Sequence, residues 1–314
     1  MSEKRMLVKI AHYYYELGMT QEDIGQRLSM SRQKVNRMIK SLIEKEIVSI
    51  KINGYDETYV GLEDTLEKEF SLKEVIVTSV DDEDVLIDKL SDAAALYLER
   101  TIENNETIGV SWGTTLSSTA AKLKSLRKKN ISVVQIVGGE NLQDPSLKAD
   151  EITRVIANKL NGTPYLMYAP AIVKDERLKT AMMNEQSIKN IFNLIKNCTT
   201  AVVGIGNLTE DSTICKQSYL TKENLEKLKE KKCVGDICLQ AYKINGEVIE
   251  DNISKRVIGI GADDLKNIPR VIGIAGGKEK TKAILGALRA GFIDVLVTDN
   301  ITAESILKIK NEQQ

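Results

Sequence analysis

The stretch "GVSWGTTLSSTAAKL", residues 109–123, decides how the chain is read. A short apolar run ends in Trp112-Gly113-Thr114-Thr115, and a small-residue helical pattern begins there. That is a strand feeding a helix through a tight glycine corner. The first N–H groups of such a helix have no partner inside it. With two hydroxyls beside them, they can hold an anion or a polyol.

The same alternation runs outward in both directions. Upstream, "EVIVTSV" reads as a strand and "VLIDKLSDAAALYLERTI" as a helix. Downstream come a strand "SVVQIVGG", a helix "DEITRVIANKLNG", an extended "PYLMYAPAIV", a long helical segment 176–198 and a strand "TAVVGIGN". A helix within 220–236 follows, then a hairpin expected around Asn245-Gly246. "RVIGIAGG", "KTKAILGALRAG", "DVLVTD" and "TAESILKI" close the chain as strand, helix, strand and helix. Short apolar strands alternating with helices predict a doubly wound, mostly parallel α/β sheet. Ligands of such sheets bind at the carboxyl ends of strands. Glycine corners gather there: Gly113, Gly138-Gly139-Glu140, Gly204 and Gly206, and Gly276-Gly277 with Lys278 and Lys280. Neither GxGxxG nor GxxxxGK[ST] occurs, so dinucleotides and nucleoside triphosphates are poorly supported.

Residues 1–55 differ from this body. They carry 10 Lys and Arg against 6 Asp and Glu, a balance of +4, while the remainder carries 34 against 39, a balance of −5. Met6, Leu7, Ile10, Ala11, Tyr14 and Leu17 recur at helical spacing, and Gly18 ends that run. Thr20 with Asp23 forms a capping-box pattern before a short second helix. Ser31 caps a third helix, whose buried stripe is Val35, Met38, Ile39 and Leu42. "EIVSIKINGY" then alternates like a small strand. Three helices, a tight turn and a strand-like wing predict a winged helix-turn-helix. Its DNA-facing set is Thr20, Gln21, Ser31, Arg32, Gln33, Lys34, Asn36, Arg37 and Lys40, residue types that read base edges or hold phosphate. Residues 56–72 read as a connecting helix. Its narrow stripe of Tyr59, Leu62, Leu66 and Phe70 fits either a contact between subunits or packing on its own domain. The expected domains are therefore 1–55, the linker 56–72 and the body 73–314.

Composition sets the remaining bounds. With 42% hydrophobic and 28% charged residues, the 314-residue chain is an ordinary globular sequence. No apolar run approaches membrane length and the N-terminus lacks a signal-peptide core, so a cytoplasmic protein with no membrane partner is expected. The four cysteines, Cys198, Cys215, Cys233 and Cys238, form no CxxC pair and read as free thiols. His12 is the only histidine, so neither a Cys/His zinc site nor any other metal or cofactor is expected.

The whole chain resembles the SorC/DeoR-type sugar-binding transcriptional regulators of bacteria. The segments that carry the resemblance are "MTQEDIGQRLSMSRQKVNRMIKSL", "GVSWGTTL", "QIVGG", "VGDIC" and "AGGKEKTKAILGALRAGFIDVLVTD". It implies a DNA-binding domain joined to an effector domain related to sugar-phosphate isomerases, oligomers that are dimers or tetramers, and operator DNA controlled by a sugar, polyol or sugar phosphate. By position, Gly113, Thr114 and Thr115 match the phosphate loop, Asp236 the acidic residue near the sugar hydroxyls, and Lys280 the lysine at the pocket rim, with Lys278 as its neighbour. Gly138, Gly139, Glu140 and Gly206 complete the expected effector set. Two departures stand out. Val137 occupies a place where some relatives carry a lysine or arginine, which removes a cation and any Schiff base there. Leu239-Gln240-Ala241-Tyr242 replaces an Arg-Phe-Phe-like run.

An isomerase on this scaffold needs a base to move a proton. Histidine is absent from 73–314, and Glu140, Glu151 and Asp236 read as hydroxyl-binding or capping carboxylates. The expectation is a regulator, a repressor of a carbohydrate operon, and not an enzyme. The alternatives are an isomerase-like enzyme with an accessory DNA-binding domain, an activator, and a DNA-binding protein whose body serves only to oligomerise.

Overall fold

The computed structural model describes residues 2–51, 53–54, 58–139, 147–210, 212, 215 and 221–311. The chain divides into two units, Met1–Thr58 and Tyr59–Gln314.

In the first unit, α1 (Glu3–Ala11) continues into one π-turn, His12–Glu16. Then come α2 (Gln21–Leu28) and α3 (Arg32–Glu44). The Thr20 hydroxyl accepts from the Asp23 N–H, while the Asp23 carboxylate accepts from the Thr20 N–H, so the capping box forms. Ser31 accepts from the Lys34 N–H and starts α3. Leu7, Ile10, Tyr13, Ile24, Val35, Ile39 and Leu42 close one small core. Gly25 sits where α2 meets the turn, and a Cβ there would lie 2.7 Å from the Met30 carbonyl oxygen. The wing strand does not form among the described residues. The Ile47 and Val48 N–H groups instead bond to the Leu42 carbonyl, closing the C-terminus of α3 with Glu46 at positive φ. Among the described residues Ser49–Lys51 has no ladder partner, and an alternating sequence without one gains little from extending.

The second unit is built on a seven-stranded, fully parallel sheet. Its strands are β1 (Glu74–Thr78), β2 (Thr107–Val110), β3 (Ser132–Gln135), β4 (Thr163–Tyr165), β5 (Thr200–Gly204), β9 (Arg270–Ile274) and β10 (Val295–Asp299), in the order β1-β10-β9-β5-β2-β3-β4. Central strands are buried on both faces, β10 at all five residues, as a sheet covered on both sides requires. Alternate side chains feed two cores. Ala201 and Val203 enter one, and Val202 the other, following the strand period of two. The first core receives α4 (Val60–Phe70), α9 (Gln186–Lys196), α10 (Lys222–Glu230), α11 (Ala262–Lys266), α12 (Thr281–Arg289) and α13 (Asn300–Asn311). The second receives α5 (Leu86–Thr101), α6 (Thr114–Lys122) and α7 (Ala149–Lys159). Leu66 places α4 in the core of the body.

A small antiparallel sheet, β6 (Gly206–Asn207), β7 (Cys233–Ile237) and β8 (Gln240–Lys243), stands beside the large one. The β7–β8 turn is Cys238-Leu239, both at positive φ, a turn that precedes the hairpin expected around Asn245-Gly246. Asn245-Gly246 makes a second turn, closed by the Gly246 N–H on the Lys243 carbonyl and a Tyr242–Val248 bridge. The helical segment expected over 176–198 is two helices, α8 (Glu176–Asn184) and α9, because Glu185 is extended.

At the amino ends of the strands, Arg270 fastens the sheet. Its guanidinium donates to both Glu106 oxygens, at 3.1 and 3.0 Å, and to the Thr200 hydroxyl.

Candidate functional site

At the opposite edge, β2 is followed by α6 on one face of the sheet, while β5 is followed by the small sheet on the other. The chain thus diverges between neighbouring strands, which opens a crevice at their carboxyl ends. A cavity of about 240 Å³ lies there, lined by residues that follow β2, β5 and β9.

Three features give the cavity its chemistry. Gly113 has φ +124°, a region that side-chain-bearing residues avoid, and it opens α6 without any side-chain cap. Gly113, Thr114 and Thr115 at the start of α6 line the cavity, and the positive end of the helix dipole lies there. Across from them lies Asp236, on β7 and only 7% exposed. Its Oδ2 accepts from the Leu239 N–H at 3.2 Å, inside the strained β7–β8 turn. A Cβ on Gly206 would lie 2.3 Å from Asp236 Oδ1, so only glycine at 206 leaves the carboxylate its place. Burial pushes the Asp236 pKa up to about 6, against the opposing pull of the Leu239 N–H and of Lys280. Lys280 completes the set. Burial lowers its pKa, and Glu279 and Asp236 counter that.

The loop that carries Lys280 is itself pinned. Asp299 at the end of β10 accepts from the Gly277 N–H at 2.8 Å and from the Thr302 hydroxyl at 2.7 Å. Leu86, Ile87 and Leu90 of α5, with Ile274, make an apolar wall.

Of the residues expected from sequence, Gly113, Thr114, Thr115, Gly206, Asp236 and Lys280 meet in this cavity. Lys278 is exposed and absent from the lining. Gly138 and Gly139 are not part of the lining either. Their N–H groups are spent on the Ile258 and Ala169 carbonyls, and a Cβ on Gly138 would lie 2.6 Å from the Pro170 carbonyl oxygen. Gly138 is glycine because two backbones meet there, whereas a Cβ on Gly139 would meet only the Gln135 side-chain amide, at 3.8 Å. Val137 is fully buried and bridges Gly259. Glu140 lies outside the described residues. Sequence reading missed the α5 wall, Ser111, Asn207 and Cys238. Only Leu86 and Leu90 carried a signal, as members of an amphipathic helix, and that signal is the same for core.

No group of three His, Cys, Asp or Glu side chains among the described residues is placed to hold a metal. No described helix is long and apolar enough to cross a membrane.

In the first unit, Ser31, Arg32, Gln33, Lys34, Arg37 and Lys40 are exposed along α3, with Asn36 partly exposed. Thr20 is exposed at the start of α2, and the partly buried Gln21 donates to Asn36 Oδ1 at 3.4 Å. Among the described residues, Arg32, Lys34, Arg37 and Lys40 enter no ion pair within the chain. Four solvated cations along and at the start of the second helix of a helix-turn-helix match the way such helices meet a DNA major groove and its phosphates.

Comparison with known proteins agrees with both units. Residues 57–308 match the family model described as "Putative sugar-binding domain", and residues 5–60 match the Crp-like helix-turn-helix domain. The sorbitol operon regulator of Klebsiella pneumoniae is 32% identical over 97% of this chain and 98% of its own length. The deoxyribonucleoside regulator of Bacillus subtilis is 28% identical, with coverage of 97% and 98%. The crystal structure of the full-length Klebsiella sorbitol operon regulator superposes with a TM-score of 0.76, covering 98% of this chain and 99% of that one. A transcriptional regulator from Streptococcus pneumoniae also reaches 0.76, at 28% identity, covering 82% and 99%. The chain thus belongs to the SorC/DeoR-type family of sugar-binding transcriptional regulators, with a helix-turn-helix that binds DNA and a sugar-binding domain that takes a small-molecule effector.

Proposed function

We propose that this chain represses a carbohydrate-utilisation operon, and that a sugar, polyol or sugar phosphate in the cavity between β2, β5 and β9 controls its hold on operator DNA. The observation that carries the reading is the meeting of an uncapped helix start at Gly113–Thr115 with a buried carboxylate, Asp236, and a lysine, Lys280, in one cavity. The helix start suits a phosphate or a hydroxyl oxygen. The fixed carboxylate suits vicinal hydroxyls, because a buried acceptor without a donor is costly. Among the described lining residues the charged groups are Lys280 against Asp236 and Glu279, a set that favours a hydroxyl-rich ligand over a multiply charged one. The DNA contacts are those of the α3 face, with Thr20 and Gln21 at the start of α2. The active form is a homo-oligomer, dimer or tetramer, and its operator is a pseudo-palindrome matching the paired recognition helices. The relatives named for sorbitol and deoxyribonucleoside operons support a carbohydrate or nucleoside-sugar effector.

Thermal unfolding against a panel of sugars, polyols and their phosphates tests the site. Binding to the folded state alone raises Tm by mass action, about 2.7 kcal/mol of stabilisation at a hundredfold excess over Kd. The expected outcome is a rise with at least one compound that Thr114→Val/Thr115→Val removes. A panel with no effect, or a rise that the double variant keeps, counts against it.

A further inference from the structure

We propose that α4 serves as a surrogate strand that closes the β1 edge of the sheet, and that this seal, made by Glu63 and Glu67, couples the effector cavity to the helix leading into the DNA-binding unit. The inference rests on the sensing function proposed above and concerns how the signal leaves the cavity.

Among the described residues β1 is an edge strand, paired with β10 on one side only. Its outward N–H groups would be left without ladder partners. The Val77 N–H donates to Glu63 Oε1 and the Val75 N–H to Glu67 Oε1, each at 2.8 Å. One step further along, the Tyr59 hydroxyl donates to Ser79 Oγ at 3.1 Å. Helix positions 59, 63 and 67 thus meet strand positions 79, 77 and 75, running antiparallel. The registers match because four helical residues rise about 6 Å and two strand residues about 6.6 Å. Leu66 is buried beneath the seal, and Lys310 of α13 pairs with Glu69 at its far end.

The other connections of β1 lead to the cavity. Its carboxyl end runs on to Leu86, Ile87 and Leu90, the apolar wall. Its ladder partner opposite Thr78 is Asp299, the residue that pins Gly277 ahead of Lys280. Both the wall and the lysine loop are therefore one connection from β1. α4 follows directly on the last residue of the DNA-binding unit. A carboxylate acceptor gives such a seat two distinct states, since each bond is made or lost as a unit while the Leu66 packing guides its return.

Hydrogen exchange of the full-length protein, read at the Val75 and Val77 amides and across residues 59–70, tests the proposal without knowledge of the ligand. Ile87→Trp fills the cavity from its exposed rim and stands in for occupancy. Glu63→Ala/Glu67→Ala should speed exchange of the two amides about 10-fold, while Glu63→Gln/Glu67→Gln, which retains acceptors, should stay within about threefold. Ile87→Trp should change exchange across 59–70 by at least about threefold in the wild-type and glutamine backgrounds and leave it unchanged in the alanine background. The single alanine variants give the same reading with half the loss if the double variant does not fold. Unchanged protection of Val75 and Val77 in the alanine variants would overturn the seal. A response to Ile87→Trp that is missing in the wild type, or that persists without the carboxylates, would overturn the coupling. The sensing function fails by a different result, wild-type protein whose operator binding no sugar compound alters.

Discussion

Asp236→Asn should stabilise the effector domain at neutral pH while removing effector binding. The Asp236 carboxyl is 7% exposed, and burial lifts its pKa from 3.8 to about 6. A folded-state pKa above the unfolded value means that the folded protein resists ionisation. The cost is absent below about pH 4, where both states are protonated. It grows as pH rises from 4 to 6, where only the unfolded state is ionised, and is constant above 6. Its ceiling is about 3 kcal/mol, at 1.36 kcal/mol for each pH unit between the two values. Asparagine keeps an oxygen for the Leu239 N–H but gives up attraction to Lys280, so a net gain of about 1–3 kcal/mol is expected at pH 7. For a domain of this size that is a rise in Tm of roughly 2–4 °C per kcal/mol. Calorimetry of the wild type and variant from pH 4 to pH 8 reads it directly. The advantage of the variant should open between pH 4 and 6 and then level off. An advantage independent of pH, or a variant less stable at pH 7, would refute the idea that Asp236 is held ionised at a cost to stability.

Gly113→Ala forces a side chain into φ +124° and should cost about 1–3 kcal/mol with loss of effector binding, read by thermal unfolding with and without the compound identified by the panel. Arg37→Ala and Lys40→Ala should each reduce the salt-dependence slope of operator binding by about 1, measured by anisotropy across salt concentrations. Arg270→Ala leaves the largely buried Glu106 with the Thr200 hydroxyl and the Glu103 N–H but no cation, so urea unfolding should lose about 3–5 kcal/mol while the effector site keeps its affinity. Gly25→Ala drives a Cβ to 2.7 Å from the Met30 carbonyl oxygen and should weaken DNA binding about 10-fold or more, with the effector-induced Tm rise of the body unchanged.

Where sequence and structure agree, the signal was local. The Thr20-Asp23 box, the Ser31 cap and the run of buried strands are written in neighbouring residues, and each formed as read. Among the described residues the wing strand does not form, because alternation in "EIVSIKINGY" says nothing about a partner and Ile47 and Val48 close α3 instead. The hairpin at Asn245-Gly246 formed as read, because Asn-Gly is a strong turn signal, whereas the Cys238-Leu239 turn between β7 and β8 was not legible, because both residues adopt positive φ against local preference. That strain sits at the cavity, under Asp236. A glycine pair at a strand end fits a ligand cradle and a tight backbone crossing equally well, and the approach of Pro170 to Gly138 is what the sequence does not carry. The edge seal was illegible because Glu63 and Glu67 look like ordinary solvated helix charges until β1 is beside them.

The central claim is that one ligand and one DNA site are linked through this chain. Linkage requires each to alter the affinity of the other by the same factor, about 5- to 150-fold for a coupling of 1–3 kcal/mol. The most direct measurement is anisotropy of a labelled operator duplex titrated with the full-length protein, with and without the compound that raises Tm. The account predicts a shift in operator affinity of that size, lost in Thr114→Val/Thr115→Val although the variant still binds the duplex. Sequence-specific binding that the compound leaves unchanged would contradict it.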